Sequence, residues 1–144
     1  MSISATVAMQ RAGIEIDDFD GSGVTIKLMP RWMEAALGHS VDAVTIGNNI
    51  YVTEDRHGLV LDGRDRQLLL HELVHVYQWR REGRVPFLFR YVCQYLRNRM
   101  IGLEHTVAYR AISYEAAAFE ASERPRTEQP LGAETLNHDR KEVV

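Results

Sequence analysis

The chain has 144 residues, 45% of them hydrophobic and 26% charged, with a net charge of −3. That is enough for one domain with its own core, and the charge gives no case for nucleic acid or an anionic membrane surface as partner. A single cysteine, Cys93, excludes an intrachain disulfide. Its neighbours Tyr91, Val92 and Tyr95 mark it as a small core residue rather than a nucleophile.

Met1 to Asp20 lacks a basic head followed by an apolar run, and no apolar stretch approaches the length of a membrane span. The expectation is a protein without signal peptide or transmembrane segment, either cytoplasmic or exported by a route that needs no such signal. Residues 1–23 read as an N-terminal arm, with weak periodicity over Thr6 to Ile16 that fits a short helix or an extended segment. Asp17, Asp18 and Asp20, followed by Gly21-Ser22-Gly23, read as a turn. A calcium loop needs further acidic positions and a closing glutamate, and these are missing.

Val24-Thr25-Ile26-Lys27-Leu28 alternates and is β-rich, as a strand does. Pro30 opens a short helix over Arg31 to Leu37 that Gly38 ends, with Trp32 and Met33 expected in the core. Val44-Thr45-Ile46 and Ile50-Tyr51-Val52 flank Gly47-Asn48-Asn49, where Gly and Asn tolerate positive φ, so a hairpin is expected. Its outer strand, if a free edge, can pair with an extended peptide. Thr53 to Gly58 reads as a polar loop carrying His57.

The next helix organises the rest. It runs from about Arg64 to Trp79, with Asp62 as its expected cap, and contains His-Glu-x-x-His as His71, Glu72 and His75. Residues i and i+4 share a helix face, so His71 and His75 can turn two imidazoles towards one metal ion. Glu72 is rotated by about 100° and flanks that ion, where its carboxylate can take a proton from a water the metal has made acidic. Leu68, Leu69, Leu70, Leu73, Val74 and Val76 make the helix apolar nearly all round, hence buried. Two imidazoles and a carboxylate among leucines need strong partners, and a metal supplies one to both histidines.

Arg80-Arg81-Glu82-Gly83-Arg84 ends that helix, and Pro86 lies in the first turn of another. Phe87, Leu88, Tyr91, Val92, Tyr95 and Leu96 recur there at helical spacing, with Arg90, Arg97 and Arg99 between them. A helix docked on the core with a solvated basic face is expected, rather than a membrane or nucleic-acid element. Gly102 breaks the pattern, and a further helix is expected from about Thr106 to Glu123. From 124 to 144 the chain is polar and reads as a disordered tail or linker. The domain boundaries are therefore 1–23, 24–123 and 124–144.

A catalytic zinc site takes three protein ligands and leaves one position for water. Candidates for the third are Glu115, Glu120, His105, His57 and Glu104. Glu115 fits best, because a carboxylate between Tyr114 and Ala116-Ala117-Ala118 on a helix needs a partner if buried. Glu120 is second and fits the solvent face equally well.

The run Ile46-Gly47-Asn48-Asn49-Ile50-Tyr51-Val52, the block His71-Glu72-Leu73-Val74-His75-Val76-Tyr77-Gln78-Trp79, and Ser113-Tyr114-Glu115 with Ala118 together resemble the small bacterial DUF4157 domains, among the glutamate-type zincins. The resemblance spans roughly Val24 to Ser122. It implies an α+β, zincin-like fold, mainly helical, with a small antiparallel sheet or hairpin beside the histidine helix. It implies Zn2+ held by His71, His75 and Glu115, with Glu72 as general base and then acid. The implied activity is a zinc-dependent metallopeptidase acting on a polypeptide substrate, with no nucleic acid partner. The sequence departs from related zincins at Phe119, where an acidic residue often orients a zinc-bound histidine, and at Ala117, also often acidic. These departures open the alternative of a zinc-binding but catalytically inactive module. Tyr109, Tyr114 and His105 are candidate donors to a developing oxyanion. Oligomeric state and cleavage specificity leave no mark on the pattern.

Overall fold

The computed structural model describes residues 2–38 and 40–124. Seven helices and a four-stranded sheet are found among them, an α+β arrangement. The tail expected beyond Arg124 lies outside the described residues.

The sheet is mixed. Strands β1 (Ser2–Ser4), β2 (Thr25–Leu28), β3 (Ala43–Ile46) and β4 (Asn49–Val52) lie in the order β1-β2-β4-β3. β3 and β4 are the expected antiparallel hairpin, joined through Gly47 and Asn48, with Val44 opposite Tyr51. The chain takes φ +62° at Gly47, the region glycine enters without a Cβ clash. β2 pairs parallel with β4, which departs from the antiparallel sheet expected, because the helix between them returns the chain to the same end. β4 is thus bonded on both sides and offers no free edge. The described sheet edge beside the hairpin is β3.

The segment expected to be an arm helps build the core. β1 pairs antiparallel with β2, and helix α1 (Ala5–Ala12) buries Ala5, Ala8, Met9 and Ala12. The acidic turn is present: Asp20 Oδ1 accepts from Ser22 N at 2.8 Å. Helix α2 (Arg31–Leu37) follows Pro30 as expected, but only Met33 is buried; Trp32 is 69% exposed, since a helix of two turns turns one face inward.

Thr53 to Gly58 is not a loop. Thr53 leads into helix α3 (Glu54–Leu61), with Glu54 and Asp55 in its first turn, where acids favour the helix dipole. Asp62 ends α3 instead of capping the histidine helix. The cap of α4 (Arg66–Glu82) is Asp65, whose side chain accepts from Leu68 N at 3.3 Å. Gly63, at φ +74°, turns the chain between the two helices against the backbone of α1.

α4 lies between the sheet and α7, and this explains its apolarity on all sides. Leu69, Leu70, Leu73, Val74 and Val76 are wholly buried, joined by Ile26, Ile50 and Val52 of the sheet and Ala118 and Ala121 of α7 (Ser113–Glu123). Alanines on α7 let its backbone approach α4 closely. Helix α5 (Arg84–Met100) packs through Phe87, Tyr91 and Tyr95 onto a second, aromatic cluster with Trp79, Ile112 and Tyr114. Cys93 is exposed, correcting its expected place in the core, because α5 docks by that aromatic side alone. The single helix expected over 106–123 is two, α6 (His105–Arg110) and α7. They part at Ile112, whose extended backbone (φ −65°, ψ 129°) sends its own side chain into the aromatic cluster.

Candidate metal centre

His71 and His75 lie one turn apart on α4, and both side chains face α7. Glu115 is the third residue of α7, in the turn where the helix dipole favours a carboxylate. All three are buried, and one possible ligand atom from each lies within 4.8 Å of the others. The Nε2 atoms of His71 and His75 are 3.1 Å apart. His71 Nε2 is 3.2 Å from Glu115 Oε2, and His75 Nε2 is 3.4 Å from Glu115 Oε1.

That convergence is what a cation needs. A neutral imidazole has one donor and one acceptor nitrogen, so two Nε2 atoms facing each other are satisfied only if a proton sits between them. A metal ion between both nitrogens and the carboxylate satisfies all three at once. In its absence a proton does the work. Burial lowers the pKa of His75, but the Glu115 hydrogen bond and the Glu115 and Glu72 charges outweigh it and hold it at about 9. Burial raises the Glu115 carboxyl, and its contacts with the two histidines and Tyr91 more than reverse this, holding it well below the usual carboxylate range.

The supports around the three are specific. Gln78 Oε1 lies 2.9 Å from His75 Nδ1, and Gln78 Nε2 donates to the Tyr114 carbonyl at 3.0 Å. With Nδ1–H donating to Gln78, His75 presents an Nε2 lone pair to the centre. Tyr91 donates its hydroxyl to Glu115 Oε1 at 2.7 Å. Tyr109 stands within hydrogen-bonding reach of Glu115 and Tyr91. Burial, then the Glu115 charge, pushes both phenols above their ordinary range, so both remain donors. Gln94 Oε1 accepts from both the backbone N and the hydroxyl of Ser113, which fixes the start of α7 two residues before Glu115.

Glu72 is buried on the same helix, turned towards the sheet. Its Oε2 accepts from the Thr45 hydroxyl of β3 at 2.7 Å, so the hairpin edge positions this carboxylate. Phe119, which stands where related zincins often have an acidic residue, packs edge-on against the His71 ring, 4.5 Å between centroids.

The other candidates lie elsewhere. Glu120 is exposed and pairs with Arg124 at 3.0 Å. His105 is exposed and meets the Tyr95 hydroxyl at 2.8 Å. Glu104 precedes α6 on the surface, and His57 sits on α3, its Nε2 without a hydrogen-bond partner among the described residues. Of the suggested oxyanion donors, only Tyr109 adjoins the centre; the Tyr114 ring packs on Phe87. Sequence reasoning missed Gln78, Tyr91 and Thr45. Gln78 was within reach of it, because it stands three residues after His75 on the same helix face.

Residues 14–83 match the family model of the eCIS core domain, which is the DUF4157 family. The match takes in the hairpin, His71, Glu72 and His75, and stops before Glu115. No curated protein and no solved structure matches the chain.

Proposed function

We propose that this protein is a zinc-dependent metallopeptidase, with His71, His75 and Glu115 as ligands and Glu72 as general base. The convergence of two buried Nε2 atoms and one carboxylate carries the reading. Two histidines and a carboxylate are a donor set of catalytic zinc. Bound there, zinc would lower the pKa of an attacking water to about 7 and polarise a scissile carbonyl. Glu72, anchored through one oxygen by Thr45, takes the proton from that water and delivers it to the leaving amine. Tyr109, beside Glu115 and Tyr91, is the donor we assign to the oxyanion that would develop. The described edge strand β3, which carries Thr45, is where an extended polypeptide substrate would pair, on the side away from β4.

A second reading, a zinc-binding but catalytically inactive module, is favoured by Phe119. An aromatic edge against His71 gives no hydrogen bond that would raise that ligand's basicity.

The experiment is elemental analysis of the purified protein, followed by peptide hydrolysis. About one zinc per chain is expected, and none in a His71→Ala, His75→Ala double variant. Glu72→Gln keeps the metal and lowers hydrolysis of a casein-derived peptide pool by about 100-fold or more. Zinc without any hydrolysis in the parent selects the inactive module. Absence of metal after zinc is added back removes both readings.

A further inference from the structure

Helix α5 has two apolar faces, and the fold uses one. Phe87, Tyr91 and Tyr95 point to the aromatic cluster. Beside that face, turned outward, Val85, Leu88, Phe89, Val92, Leu96 and Met100 form a stripe at three- and four-residue spacing, exposed from 44% at Val92 to 87% at Met100. The stripe runs about 22 Å, four turns of helix. At its N-terminal end it opens into a groove between α5 and the hairpin, walled by Ile46, Trp79, Leu88 and Val92. Contiguous apolar surface of this kind on a folded domain marks a place where something binds.

The charge around the stripe selects what binds. α5 contains Arg84, Arg90, Arg97 and Arg99 and no acidic residue, although the chain as a whole carries −3. Arg90 is committed to Glu82, at 2.6 Å. Arg84 lines the groove, its guanidinium over the Gly47 turn, and Arg84 and Arg97 make no ion pair among the described residues. Two copies of this helix face to face would bring like charges together. A flat lipid surface leaves the groove between α5 and the hairpin unfilled. A helix with aliphatic side chains on one face and carboxylates beside them fills the groove and meets the arginines.

We propose that the outward stripe of α5, with the groove at its N-terminal end, docks an acidic amphipathic helix of another protein. The site is separate from the metal centre: none of the residues lining it is His71, His75 or Glu115.

The test is panning a displayed library of randomised 20-residue helical peptides against the full-length protein. The enriched peptides are expected to carry leucine-like residues at three- and four-residue spacing with flanking Asp or Glu. Their binding falls about thirty-fold or more in Leu88→Glu, Val92→Glu, whose changed residues are exposed and leave the core intact. It also weakens as salt rises. Arg84→Glu, Arg97→Glu shifts the selection to peptides with flanking Lys or Arg, which a folding defect cannot produce. No enrichment, enrichment without acidic bias, or binding retained in Leu88→Glu, Val92→Glu overturns the proposal. So does pelleting with phosphatidylserine vesicles that the same variant abolishes, or a dimer in sedimentation that it dissociates; these assign the stripe to a membrane or to a second copy.

Discussion

At the scale of single residues, the His75–Glu115 contact makes the metal-free protein sensitive to pH. His75 is held at about 9, above its ordinary 6.5, so its share of the stability is complete below 6.5 and is lost as pH rises through 9. Glu115 is held below its ordinary 4.5, so its share is present above that value and is lost as pH falls. The chelated protein should therefore melt at a higher temperature at pH 6 than at pH 9.5, in calorimetry at fixed ionic strength. Metal must displace the His75 proton, so titration at pH 7 should release protons, read as a dependence of the binding heat on buffer ionisation enthalpy. Gln78→Leu removes the group that orients His75 and should weaken metal affinity by about 10- to 100-fold in competition with a chromophoric chelator, with the helix content unchanged. The histidine pair and Glu115 were legible in the sequence because each is costly to bury alone: an i, i+4 pair in leucines, a carboxylate in alanines. Thr45 and Tyr91 were not, because a strand threonine and a helix tyrosine are common, and only tertiary approach brings them to Glu72 and Glu115.

At the scale of elements, the position of α4 rests on a close approach at its entry. Gly63 separates α3 from α4, and a Cβ built on it would lie 2.5 Å from the backbone N of Ala12 and the carbonyl carbon of Arg11. Arg11 closes the same junction by donating to the Leu61 carbonyl at 2.8 Å. Gly63→Ala must move α1 or the turn, in addition to the strain of φ +74°, and should cost about 2–4 kcal/mol in urea unfolding. The hairpin, α2 and α4 were legible because turn residues and hydrophobic period agree there. α3 was not: a polar run with a glycine inside it looks like a loop, and only packing beside α1 and β2 makes it helical. The break at Ile112 was equally hidden, since alanine-rich sequence continues across it and the interruption serves burial of one side chain.

At the scale of the molecule, the main core and the aromatic cluster meet along α4, which gives its leucines to one and Trp79 to the other. The all-round apolarity of α4 announced a buried helix. The double-faced apolarity of α5 was harder to read, because one periodic pattern on paper covers both a docked face and an open one. His71 and Glu115 stand 44 residues apart in the chain, with α5 and α6 between them. An ion held by the two would be a removable clasp on that excursion, and unclasping would restore the loop entropy its closure had suppressed. In hydrogen exchange, chelation should speed the amides of α5, α6 and α7 while those of β2 and β4, laddered to neighbours on both sides, keep their rates. Metal supply would then govern how often one half of the molecule opens and leave the other half unmoved.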